Sequence, residues 1–244
     1  MGIIVNSNSS EPIYYQIYRQ LKKTIENKEI KPDEQLPTER DLCIKLGVSR
    51  ITIRKAIKDL KLEGLCYKKK GKGIFVSKEK IFLELETLMG TSNYITSLGM
   101  KIRTLVILKK IINSNIQLEE KLNLSKKSKI LFLKRLRIID DEPLIIENTR
   151  LSLDRMRGLE KFVFTGSLYK ILREKFNFLP NYSKGFLIHK LADEENAKLL
   201  NIPLNYPIIR KQVVVYSKDN IPIEFITTDY RSDRFKFIFH EFCQ

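Results

Sequence analysis

Residues 36–76, LPTERDLCIKLGVSRITIRKAIKDLKLEGLCYKKKGKGIFV, constrain the fold more than any other stretch of this chain. Thr38 is a good helix N-cap, and Glu39 and Asp41 place negative charge in the first turn behind it. Leu42 and Leu46 face inward, Gly47 breaks the helix, and Ser49 caps the next one. Only two residues separate Leu46 from Ser49, which suits the tight turn between two crossed helices. In the following helix Ile53, Ala56, Ile57 and Leu60 recur at core spacing. Its other face carries Arg50, Thr52, Arg54, Lys55, Lys58 and Lys61, and Gly64 ends it. Leu65-Cys66-Tyr67 and Ile74-Phe75-Val76 then read as two short strands around a lysine-glycine tip.

Upstream, Pro12 opens a helix whose Ile13, Ile17, Leu21 and Ile25 fall at intervals of four. Three helices followed by a basic hairpin predict a winged helix-turn-helix. Charge agrees with that shape. The 244 residues carry a formal net charge of +16. Residues 1–78 hold 17 Lys/Arg and 9 Asp/Glu, so a third of the chain carries +8, half of the excess. A polyanionic partner is expected, with the third helix in a DNA major groove and the glycine-containing tip close to phosphates.

Three scattered cysteines, Cys43, Cys66 and Cys243, make no disulfide framework and point to a reducing cytosol. His189 and His240 form no ligand pattern, so neither a structural metal nor a cofactor is expected. No apolar run reaches membrane-spanning length, and the expected location is the cytoplasm.

Residues 1–77 are expected to form one domain, 78–84 a linker and 85–244 a second domain. In the second, likeness to strands at 102–112, 130–139, 143–151, 185–191, 207–217 and 221–230 alternates with helical patterns near 92–98, 116–124, 167–177 and 193–201. Short turns between strands predict a mainly antiparallel sheet with helices on one face, an α+β domain. Leu122-Asn123-Leu124 and Asp140-Asp141-Glu142-Pro143 recur as Leu200-Asn201-Ile202 and Asp219-Asn220-Ile221-Pro222, which suggests internal two-fold symmetry.

Polar residues inside these strands are the chemical clue. Arg135 and Arg137 are two apart and share a face, either turned to solvent or lining a site. Glu147 and Glu224 follow Pro143 and Pro222 at similar offsets. Ser167 begins a helix, where a hydroxyl and open N–H groups suit an anion. Tyr169 and Tyr230 can stack on a ligand or hydrogen-bond it.

The first 78 residues resemble the DNA-binding domain of the GntR family of bacterial transcription regulators. The residues carrying the likeness are Pro12-Ile13-Tyr14, Leu36-Pro37-Thr38-Glu39-Arg40, Val48-Ser49-Arg50 and Gly71-Lys72-Gly73. The resemblance implies operator contacts from Arg40, Arg50, Thr52, Arg54 and Gly71, with Ser49 at the helix N-terminus and Lys70 and Lys72 on the ribbon tip beside them. Ile51 departs from the family, where a polar residue is common.

Residues 85–240 resemble the UTRA effector-binding domain of the HutC-like branch, with a chorismate-lyase-like fold. The likeness rests on Arg135-Leu136-Arg137, Pro143 with Glu147, Ser167-Leu168-Tyr169, Ile221-Pro222-Ile223-Glu224 and Asp229-Tyr230-Arg231. It implies a small-molecule pocket that includes Ser92, Arg135, Arg137, Glu147, Ser167, Tyr169, Glu224 and Tyr230, often for phosphorylated sugars, with small carboxylates as the alternative. The expected protein is a homodimeric, ligand-responsive repressor of double-stranded operator DNA. The rival readings are a lyase-like enzyme and a non-specific basic chromosome binder.

Overall fold

The computed structural model describes residues 2–69, 71–85 and 88–241. Lys70 and Cys243 therefore lie outside the described residues. The chain divides into two compact units, residues 1–81 and 82–244.

In the first unit, α1 (Ile13–Glu26) follows Pro12 and buries Ile17, Leu21 and Ile25. Thr38 caps α2 (Glu39–Leu46) by accepting from the Asp41 N–H, and the Asp41 carboxylate reaches back to the Thr38 N–H. That reciprocal pair satisfies two donors that a helix start otherwise leaves open. Gly47, at φ +64°, ends α2 in the left-handed conformation that a side chain disfavours. Ser49 caps α3 (Arg50–Leu62), whose Ile53, Ala56, Ile57 and Leu60 are buried as their spacing predicts. The strands β1 (Cys66–Lys69) and β2 (Gly73–Val76) pair antiparallel and form the wing. One core holds the unit together, joining α1, α2 and α3 to Cys66, Val76 and the N-terminal Ile3.

The second unit is built on a six-stranded, wholly antiparallel sheet. Its elements are β3 (Ile81–Glu84), α4 (Thr91–Ser97), β4 (Ile102–Asn113), α5 (Ile116–Leu122), β5 (Lys129–Ile139), β6 (Glu142–Ser152), α6 (Leu168–Phe176), β7 (Tyr182–Leu191), α7 (Glu194–Leu200), β8 (Pro207–Tyr216), β9 (Pro222–Arg231) and β10 (Phe235–Ile238). The order β4-β5-β6-β9-β8-β7 is palindromic in kind, with β6 and β9 central and β4 and β7 at the edges. The repeat expected from α5–β5–β6 and α7–β8–β9 thus extends to the outer strands. Asn123 and Asn201 end the equivalent helices α5 and α7 in the same left-handed conformation. Asp140 and Asp141, both at positive φ, make the two-residue turn between β5 and β6.

Two expectations are corrected. The segment 78–84 is not a plain linker, because Ile81–Glu84 is a strand that pairs with β10. The helices also cover both faces of the large sheet. Leu131 and Leu133 pack with Leu168 and Leu172 of α6. The even-numbered positions of β5 face the other way: Leu136 and Ile138 cluster with Leu200 of α7, and Ile130 with Leu118 and Leu122 of α5. A strand covered on both faces loses the alternation of apolar and polar residues, which is why Ile130–Ile139 is nearly all buried.

Candidate DNA interface and ligand pocket

The first candidate site is the exposed face of α3. Arg50 and Arg54 are 67% and 60% exposed, and the Nε of each donates to the same Glu39 Oε2, at 3.1 and 2.9 Å. No hydrogen bond from their terminal nitrogens to a described residue is present. Burial pushes the Glu39 carboxyl up, but the bonds from Arg54 and Arg50 outweigh it and hold the group below its usual range. The Ser49 hydroxyl accepts from the Thr52 N–H and lies 2.8 Å from the Thr52 hydroxyl. Arg40 is exposed at the start of α2, and Gly71, at φ +73°, and Lys72 are exposed at the wing turn. Ile51 is 81% exposed on the same helix. Glu39, which ties the two arginines together, was read from sequence only as a favourable first-turn charge.

The second candidate site lies on the odd-numbered face of β5. Arg135 and Arg137 are not a solvent face: they are 4% and 1% exposed. Arg135 Nη2 donates to Glu147 Oε2 at 2.7 Å across the β5–β6 ladder, where the two residues are direct partners. Arg137 donates to Thr104 Oγ1 at 2.7 Å and to Ser92 Oγ, and its Nε lies 3.9 Å from Glu147. The Nε atoms of Arg135 and Arg137 are buried without a hydrogen-bond partner among the described residues. Burial tends to raise the Glu147 carboxyl, but Arg137 and Arg135, with a bond from Thr91, hold it below the usual range.

Glu224 is 1% exposed and behaves in the opposite way. Burial pushes its carboxyl up to about 7, against the pull of the Tyr169 hydroxyl, which donates to it at 2.9 Å, and of Arg135. Burial and the neighbouring Glu224 raise Tyr169 well above its ordinary value. Ser167 caps α6 by accepting from the Lys170 N–H.

A cavity of about 50 Å³ brings together Ser92, Arg135, Arg137, Glu147, Ser167, Tyr169 and Glu224. Tyr230, the remaining expected residue, lines an adjoining cavity of about 100 Å³ that shares Gly90, Thr91, Tyr169 and Ile226 with the first. The sequence reading missed Thr91 and Thr104. Thr104 is the direct strand partner of Arg137, a relation visible only once β4 and β5 are in register.

A basic winged helix joined to a domain with a buried arginine-carboxylate pocket defines a ligand-sensing DNA-binding regulator. Residues 13–76 match the model of the bacterial regulatory proteins of the gntR family, and residues 97–236 match the UTRA domain. The chain belongs to the GntR family and carries a UTRA domain. It is 34% identical over 235 residues to the HTH-type transcriptional repressor NagR of Bacillus subtilis (strain 168), covering 96% of each chain. It is 29% identical over 227 residues to the probable fructoselysine utilization operon transcriptional repressor of Escherichia coli (strain K12), covering 93% of each. Its fold matches the crystal structure of PhnF from Mycobacterium smegmatis with a TM-score of 0.69 and 22% identity, over 93% of this chain and 100% of that one. Among the described residues no helix is long and apolar enough to cross a membrane.

Proposed function

We propose that this regulator is a cytoplasmic repressor that binds a palindromic operator as a homodimer and is released by a small anionic effector, a phosphorylated sugar. The observation that carries the reading is the buried pair Arg135 and Arg137. Two guanidinium groups with orphaned Nε donors share one ionised carboxylate, Glu147, so the pocket retains positive charge. A dianionic phosphate beside the Ser167 end of α6 would restore the balance through charge-assisted bonds. Glu224 and Tyr169 supply partners for hydroxyl groups, which favours a sugar over a plain carboxylate. The relative named for fructoselysine utilization supports a sugar-derived ligand.

Two-fold related recognition helices suit a palindrome and multiply affinity. The edge strand β4 supports self-association: Leu105, Val106, Ile107, Leu108 and Ile111 are all exposed on it. The pocket reads as a binding site rather than a catalytic one because the chain matches transcription regulators along its length. Operator affinity measured with and without phosphorylated sugars tests the proposal. A ligand that binds the pocket and leaves operator affinity unchanged refutes the release mechanism, since an effector acts only through its different affinities for the two states.

A further inference from the structure

The ligand pocket continues past the arginines into the adjoining cavity of about 100 Å³, which holds a cation of its own. Lys211, on β8, lines that cavity together with Val213, Val215, Thr228 and Ser183. Strand register places it in a straight row with Arg135 across one face of the sheet. Arg135 pairs with Glu147, Glu147 with Thr228, and Thr228 with Lys211. Arg135 and Lys211 are therefore three strand spacings apart, roughly 14 Å at the backbone.

Along that row the two cations differ in one respect. Arg135 has Glu147 as counterion, whereas Lys211 makes no hydrogen bond or ion pair with any described residue. Burial alone depresses its ammonium, with no carboxylate to offset the loss of water. A half-buried amine kept without a partner costs stability, and Val213 and Val215 beside it show that an apolar residue would fit the same surface. An ammonium without a described partner on the same sheet face makes a second anchor for a ligand already held at the arginines.

We propose that the effector is bipartite: a sugar phosphate whose phosphate binds at Arg135 and Arg137 and which carries a second acidic group, a carboxylate, bound by Lys211 in the adjoining cavity. This rests on the phosphorylated-sugar reading of the pocket and narrows it to doubly acidic ligands of a defined length.

Matched open-chain probes measure both claims on the full-length protein. Titration calorimetry with glucitol 6-phosphate and 6-phosphogluconate compares ligands that differ only by a terminal carboxylate. Erythritol 4-phosphate and 4-phosphoerythronate make the same comparison on a shorter chain. The expected result is that the carboxylate tightens binding about tenfold on the six-carbon chain and hardly at all on the four-carbon chain. In Lys211→Met the six-carbon gain disappears, while glucitol 6-phosphate binds within about twofold of the unaltered protein. Equal binding of the two six-carbon ligands, or a gain that survives Lys211→Met, overturns the second anchor and leaves the phosphate site standing. If no phosphate probe binds the unaltered protein, the phosphosugar reading falls, and the bipartite ligand falls with it.

Discussion

Arg135 and Glu147 meet as direct partners across β5 and β6, with Nη2 and Oε2 2.7 Å apart and both side chains almost wholly buried. The pair is not symmetric in consequence, because Arg137 also faces Glu147 at 3.9 Å. Removing Arg135 leaves one buried cation opposite one buried anion. Removing the charge of Glu147 leaves two like charges side by side. Glu147→Gln should therefore destabilise the protein by about 3–5 kcal/mol, and Arg135→Met by less. Thermal unfolding of the two variants checks the order. Added inorganic phosphate should recover part of the loss in Glu147→Gln, and a larger loss in Arg135→Met would contradict the excess of positive charge.

Glu224 gives stability a pH dependence of known sign. Its folded value of about 7 stands above the ordinary 4.5, so the native state keeps a proton that the unfolded chain releases between these values. Stability contributed by this group is complete below about pH 4.5 and is lost as the pH rises to 7, by about 3 kcal/mol. Glu147, held below its usual range, has the opposite slope and acts at lower pH. Glu224→Gln should flatten the melting temperature between pH 5 and 7, which scanning calorimetry in matched buffers would show.

Gly185 fixes how closely β7 approaches β8. A Cβ at this position would stand 1.9 Å from the Gln212 carbonyl oxygen and 2.7 Å from the Val213 Cα, both backbone atoms that cannot swing aside. Gly185→Ala should cost about 3 kcal/mol or more through lost β7–β8 pairing. Gly166, whose added Cβ meets nothing within 4 Å and whose φ is ordinary, provides the control. Its alanine variant should melt within a degree or two of the unaltered protein, and urea unfolding of the two compares them.

The DNA-binding half was legible because its signals are local. Thr38, Ser49 and Gly64 punctuate helices whose apolar spacing names their buried face, and each needs only its neighbours in sequence. The sheet was legible as strands and turns, but not as layers. Arg135 and Arg137 alternate with Leu136 and Ile138, which reads equally as a solvent face, and only helices packed on both sides decide against it. Strands β3 and β10 escaped because each has four residues and its partner lies at the other end of the domain. Lys211 was not singled out, since nothing near it in sequence reveals the row that joins it to Arg135.

The recognition helix offers the most direct test of DNA readout. Glu39 accepts from the Nε of both Arg50 and Arg54, and no hydrogen bond from their terminal nitrogens to a described residue competes with a base contact. Two such nitrogens match guanine O6 and N7, and a bidentate grip of this kind is worth about 1–3 kcal/mol of base discrimination. Arg54→Ala should therefore relax the operator at one base position, while thermal stability stays almost unchanged, because exposed ion pairs contribute little. Arg54→Lys should fail to restore the lost preference, since an ammonium has no planar fork. Glu39→Ala should weaken discrimination at the positions read by both arginines together. Selection from random duplexes, followed by titration against single-base variants at fixed salt, reads all three. An equal loss on every sequence in Arg54→Ala would make the residue a phosphate contact and leave base reading to its neighbours on α3.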